Sequence, residues 1–194
     1  MLHKSTNAQL RVKAFLANIA AHVELYDDGV IFHKSSMQSI VNVWSLGLRG
    51  ALSKVKFQFL KRRIKKDQLS KSIGYHGFNL HALAILKRNL PHENIWNSDL
   101  VAKLMKACET ESFIRQLNSS VYGYYYNVSG FEIALAYEVF LADKSKAQAW
   151  VERQVFHTLD SGSNTLTSNV KDVNTALARI YIAACFEDNY RVEI

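Results

Sequence analysis

Proline occurs once in the 194 residues, at Pro91, and glycine only eight times. Chain breakers this scarce cannot supply the many turns of a sheet protein or a collagen repeat; they favour long, uninterrupted helices. Apolar residues recur at helical spacing along most of the chain. The expected fold class is therefore all-α: antiparallel helical hairpins in two layers, forming a single domain over 1–194. Val30-Ile31-Phe32 is the one strand-like fragment, and it is too short to support a sheet. With 48% hydrophobic residues, a chain of this length can bury roughly 70% of its unfolded surface.

The pattern predicts helices over 6–25, 35–52, 54–71, 78–89, 99–107, 110–118, 130–142, 145–158 and 170–187. Loops are expected at Gly74–Gly77, over the tyrosine-rich stretch 119–129 and around Gly162, and Pro91 forbids continuation of the helix before it. No apolar run approaches the roughly 18 residues of a membrane-spanning helix. Lys4, Arg11 and Lys13 ahead of Ala14–Ala21 imitate a secretory signal, but Asn18 interrupts the apolar core and His22 and Glu24 follow directly. An ordinary, retained helix is expected there. The Asn-x-Ser triplets at Asn118 and Asn127 are then chance matches. Cys108 and Cys185 are too few for a disulfide framework. Both are read as small buried hydrophobes in a reducing, cytoplasmic compartment.

Charge is concentrated in one segment. Residues 54–71 hold eight basic side chains against Asp67 alone, a balance of +7 that equals the formal charge of the whole chain. Phe57, Leu60 and Ile64 recur there at helical spacing, which predicts a basic amphipathic helix. Lys61, Arg62, Arg63, Lys65 and Lys66 fan around it as either a solvated face or a landing strip for a polyanion: nucleic acid or an acidic glycan. The apolar face is too narrow for a membrane-surface helix.

Several chemistries lack their residues. His-Glu-x-x-His, Cys-x-x-Cys and Cys/His clusters are absent, so no metal is expected. Glycine-rich phosphate loops and the Gly-x-Ser-x-Gly elbow are absent too, and no cofactor is expected. Arg88/His92 and Arg153/His157 miss by one residue the Arg-x4-His spacing of one class of helical RNase.

A weak internal repeat runs through the predicted helices. Ala-Leu-Ala occurs at 82–84, 134–136 and 176–178, and the first two copies follow Gly77-Phe78 and Gly130-Phe131. Aromatic–Asn loops, Tyr75-His76-Gly77-Phe78-Asn79 and Tyr124-Tyr125-Tyr126-Asn127, stand at those two junctions. Ala-rich helices allow close approach and form the expected inner layer, with the charged helices outside. These junctions resemble the inner-helix entrances of α/α-barrel (helical toroid) carbohydrate-active proteins: sugar epimerases, glycan lyases and unsaturated-glycoside hydrolases. The resemblance implies a cleft lined by aromatic, His, Asn and acidic side chains that handles a sugar. A complete toroid is about twice this length, so half a toroid or an open array of hairpins is implied.

Sugar sites need flat aromatic faces, amides for hydroxyls, and ionisable groups for acid–base work. The candidates are His76, Glu132 and His81 for proton transfer, with Trp44, Tyr75, Asn79, Tyr124, Tyr126 and Asn127 for binding. Each histidine is equally readable as a satisfied core residue, and the tyrosine run as a packing cluster. Two functions stand: a domain that binds or processes a glycan, acidic or neutral, and a non-enzymatic basic module for nucleic acid or an acidic protein. An open edge of inner helices further predicts self-association or docking on a larger partner.

Overall fold

The computed structural model describes residues 6–33, 51–168, 174, 177, 181–187 and 189–192, with the backbone path alone at Thr6 and over 51–65. The described residues are helical, with no strand among them. The elements are α1 (Thr6–His22), α2 (Ala51–Asn89), a 3₁₀ turn (Asn94–Asn97), α3 (Asp99–Ala107), α4 (Glu111–Ser119), α5 (Ser129–Leu141) and α6 (Lys144–Thr158). The all-α expectation holds. The predicted helices at 35–52 and 170–187 fall largely outside the described residues. Val30–Phe32 reduces to a single antiparallel bridge between Leu25 and Ile31.

Local sequence sets most boundaries. Ser98 caps α3 by accepting from the Val101 N–H, and Thr110 caps α4 by accepting from the Phe113 N–H at 3.1 Å. Ala142 stops α5 in the left-handed region (φ 51°), and Asp143 immediately opens α6 by accepting from the Lys146 N–H at 3.0 Å. Without the intervening residues of a longer loop, α5 and α6 fold back as an antiparallel hairpin. Gly130 meets Gln154 near one end of that hairpin, and Tyr137 lies under the Lys146 ammonium near the other.

One predicted break is absent. The expected separate helices 54–71 and 78–89, with a loop at Gly74–Gly77, are one continuous 39-residue helix, α2. The two glycines serve contact instead of breaking the helix. A Cβ on Gly74 would lie 2.4 Å from the Tyr122 Cβ, and one on Gly77 would lie 3.0 Å from a Glu132 carboxylate oxygen. Their bare backbone is what lets the tyrosine loop and α5 approach α2. Gly74 meets Ser129, Gly77 meets Glu132 and Ile133, and Arg88 meets Glu138, so α2 and α5 run parallel.

The core is centred on α5. Every residue from Ser129 to Tyr137 is buried, because α2 covers one side and α6 another. Leu104 and Met105 of α3, Phe113 and Leu117 of α4, and Leu16 and Ile19 of α1 complete it. The stretch after α1 runs along α2: His33 N–H donates to Ser72 Oγ at 2.9 Å, and Gln68 donates to the His33 carbonyl. Cys108 is a free, buried thiol as expected, whereas Cys185 is only half-buried.

Candidate functional site

The tyrosine loop is pinned to α2 by its polar residues. Ser120 Oγ donates to the Ser70 carbonyl at 2.9 Å, and Asn127 Nδ2 donates to the carbonyls of Gly74 (2.8 Å) and Tyr122 (2.7 Å). Ser129 Oγ adds a further bond to the Gly74 carbonyl at 3.2 Å. These bonds fix which way the tyrosines point. Tyr122 and Tyr126, four residues apart, fall beside Tyr75 of α2.

The result is a clustered aromatic surface. The Tyr75 ring centre lies 6.3 Å from Phe78, 6.2 Å from Tyr122 and 6.2 Å from Tyr126, and the last two are 5.9 Å apart edge to face. His33 stacks flat on Tyr75 at 4.7 Å with 9° between the planes. Phe78 is 51% exposed and Tyr126 49%, so the cluster is open to solvent at these two residues. Partial burial, a hydrogen bond with Tyr126 and the neighbouring phenols push the Tyr75 hydroxyl up to about 12. It remains a neutral donor and acceptor across the physiological range. The Lys71 ammonium sits over the Tyr122 ring at 5.5 Å, giving the patch a cationic rim. Asn79, one turn on from Tyr75 along α2, is half-buried and sits on the same side of the helix.

The remaining candidates separate sharply. Asn127 is buried and spends its amide on holding the loop. Tyr124, expected on the binding surface, is instead in the core, stacked on His157 at 4.2 Å. Its hydroxyl finds no partner, and burial raises its pKa. His76 is fully buried, with its Nδ1 accepting from the Ile31 N–H (3.2 Å) and its Nε2 donating to the Leu104 carbonyl (3.0 Å). Desolvation lowers its pKa to about 4, and both nitrogens are committed to tying α2 to α3 and to the Leu25–Ile31 turn. In this arrangement it acts as a strut. His81 is half-buried, and its Nε2 is enclosed without a partner; burial and the nearby Arg88 lower its pKa.

Glu132 is likewise withdrawn from solvent. It is buried against Gly77, one carboxylate oxygen has no partner, and desolvation raises its pKa to about 8. The catalytic trio expected from sequence therefore does not converge on an open cleft; the binding residues Tyr75 and Tyr126 do meet on the surface. Trp44 lies outside the described residues, as do the side chains of Lys61, Arg62, Arg63 and Lys65; Lys66 is exposed. No group of three or more His, Cys, Asp or Glu is arranged to hold a metal ion among the described residues.

Phe78, Tyr122 and His33 were missed as site residues. Lys71, Tyr75, Phe78 and Asn79 share one helical stripe, a signal that becomes visible only once 71–79 is read as continuous helix.

No family model matches the chain, and no solved structure matches it. The chain is similar to archaeal glycosylation protein Q of Haloferax volcanii, with 32% identity over 185 residues. That match covers 92% of this chain and 50% of the relative, so the chain spans about half the length of the curated relative.

Proposed function

We propose that this chain is a glycan-recognising domain with a glycosylation-related role, and that it binds carbohydrate at the aromatic surface formed by Tyr75, Phe78, Tyr122 and Tyr126. The observation that carries this reading is the exposed, laterally packed ring cluster, pinned to α2 by one hydrogen bond each from Ser120 and Asn127 and braced within the loop by a second from Asn127. Flat rings pack against sugar C–H faces, while the Tyr75 and Tyr126 hydroxyls and the Asn79 amide serve sugar hydroxyls. Similarity to a relative named for glycosylation supports the same class of ligand. Binding is favoured over processing because His76 and Glu132 are sealed in the core.

Lys71 at the rim favours an acidic glycan over a neutral one, and the exposed Lys66, about one and a half turns before it on α2, adds to the positive potential nearby. The architecture fits one arc of a helical toroid. Support comes from the parallel α2 and α5, each carrying a Gly-Phe step, from the antiparallel α6 outside α5, and from a relative about twice this length.

A printed array of neutral and acidic oligosaccharides, probed with the parent chain and with Phe78→Ala and Tyr126→Ala, tests the proposal. The parent is retained on acidic members, and the double variant binds about tenfold more weakly, the loss of two ring contacts. Retention of nothing on the array, or equal binding by the double variant, overturns it. Replacing Arg62, Arg63, Lys65 and Lys66 with Gln is expected to weaken acidic members selectively and to steepen no salt dependence for neutral ones.

A further inference from the structure

Arg88 and Glu138 form a clasp near the ends of α2 and α5. Glu138, with its side chain 8% exposed, accepts from Arg88 at 2.6 Å, from the Glu187 N–H at 3.1 Å and from the Tyr190 hydroxyl at 2.9 Å. Arg88 also donates to the Cys185 carbonyl, so the segment around 185–190 is held on the two helices by these two side chains. Beside the clasp lies a cavity of about 260 Å³ lined by Lys87, Arg88, Pro91, Glu138, Val139 and Glu187. It is separate from the aromatic cluster: Lys87 is about 18 Å along α2 from Tyr75 and about 120° around it.

The charges of this cavity are unevenly satisfied. Glu138 takes three donors of the roughly four that a carboxylate can accept. Lys87 has no carboxylate within ion-pair distance among the described residues; its ammonium lies 5.0 Å from the Phe140 ring centre, and partial burial lowers its pKa. Glu187 is 77% exposed and reaches the Arg88 guanidinium only at 3.5 Å, far looser than the Arg88–Glu138 pair. An exposed, loosely paired carboxylate thus rests at the mouth of a pocket lined by a partly desolvated ammonium and a guanidinium.

We propose that this pocket binds a small hydroxylated monocarboxylate, whose carboxylate displaces Glu187 from Arg88 and is also paired by Lys87. The pocket is open on one side, and its volume suits a ligand the size of a single ring or a chain of about six carbons. Pro91 and Val139 supply apolar wall for its C–H groups, and the Glu138 carboxylate accepts from its hydroxyls. The Glu187 carboxylate acts as a tethered competitor: it marks the guanidinium edge as a carboxylate site and raises the ligand concentration needed to fill it. This inference is independent of the aromatic surface, and substitutions there are expected to leave it unchanged.

Titration calorimetry of the full chain with gluconate tests it, with sorbitol as the neutral counterpart and sulfate as a generic anion. Gluconate is expected to bind at least about tenfold more tightly than either control, and Lys87→Gln to weaken it about tenfold, the loss of one charge-assisted hydrogen bond. Glu187→Gln is expected to strengthen binding about threefold by removing a weak exposed ion pair. Both side chains lie at the surface, so circular dichroism melts of the two variants should superpose on the parent's. Absence of gluconate binding, equal binding of sorbitol or sulfate, or indifference to both substitutions overturns the proposal. Should Lys87→Gln melt early, the Glu187→Gln result alone decides.

Discussion

Tyr75 and His76 are consecutive residues of α2 with opposite fates. Tyr75 joins a ring cluster open to solvent, while His76 is enclosed, with both nitrogens bonded to backbone. The 100° step between them carries the chain from a solvent-open aromatic surface to a core strut. The buried side of α2 also holds Gly77 against Glu132, and the exposed side holds Phe78. One helix therefore separates two tasks: polar groups chosen for shape and satisfaction on one face, and aromatic groups left available on the other. Chemistry-bearing residue types are found on both faces, but only accessibility says which can meet a ligand.

The largest expected effect breaks the buried face through pH. Glu132 has its pKa raised to about 8 in the folded chain against an ordinary 4.5, so the folded state holds a proton that the unfolded state has lost between those values. Stability therefore falls as pH rises from about 4.5 to about 8, by about 5 kcal/mol over the full window. Glu132→Gln removes that slope, and urea denaturation of both chains at a series of pH values measures it. A slope that persists unchanged in the Gln variant would assign the effect elsewhere.

His76 gives the opposite sign. Its folded pKa is lowered to about 4 from 6.5, so its contribution is complete above 6.5 and is lost as pH falls towards 4, by about 3 kcal/mol. His76→Leu should flatten the acid limb of the same denaturation series. It should also lower stability near neutral pH by about 2 kcal/mol, because the Ile31 N–H and the Leu104 carbonyl lose their partner.

Gly74→Ala comes next. Its Cβ would fall 2.4 Å from the Tyr122 Cβ and 2.5 Å from the Tyr122 carbonyl oxygen, and backbone cannot swing aside as a side-chain tip can. A loss of about 2 kcal/mol is expected from this overpacking, with the tyrosine loop displaced. The loop displacement separates the two faces experimentally, since amide exchange at 120–127 should rise while α5 and α6 stay protected.

How far these faces could be read from sequence follows from the same residues. The helices α3 to α6 and the short break between α5 and α6 were legible because local rules decide them. The continuity of α2 was not, because Gly74 and Gly77 look like a loop until the partner that they admit is known. Reading that stretch as a junction misplaced His76 and obscured the Lys71–Tyr75–Phe78 stripe. Within the tyrosine run, spacing marks Tyr122 and Tyr126 as a pair, but nothing local sends Tyr124 inward to stack on His157; that is a property of the α5–α6 hairpin. Periodicity yields faces, and burial of those faces is a tertiary matter.

The smallest expected effect on stability is the most informative about the exposed face. Phe78 is 51% exposed, and its described ring contact is the edge-on pair with Tyr75 at 6.3 Å. Phe78→Ser gives up that contact and some helix propensity, and should cost less than about 0.5 kcal/mol, the usual range for a surface substitution. A core-packing role would instead cost several times more, since fully buried Phe truncations lose about 3 kcal/mol or above. Denaturation midpoints of Phe78→Ser and of Phe113→Ser, the latter ring being fully buried beside His76, set the two cases side by side. If the Phe78 variant proves as unstable as the Phe113 variant, the aromatic cluster is packing, and the division of α2 into a structural and a recognising face fails.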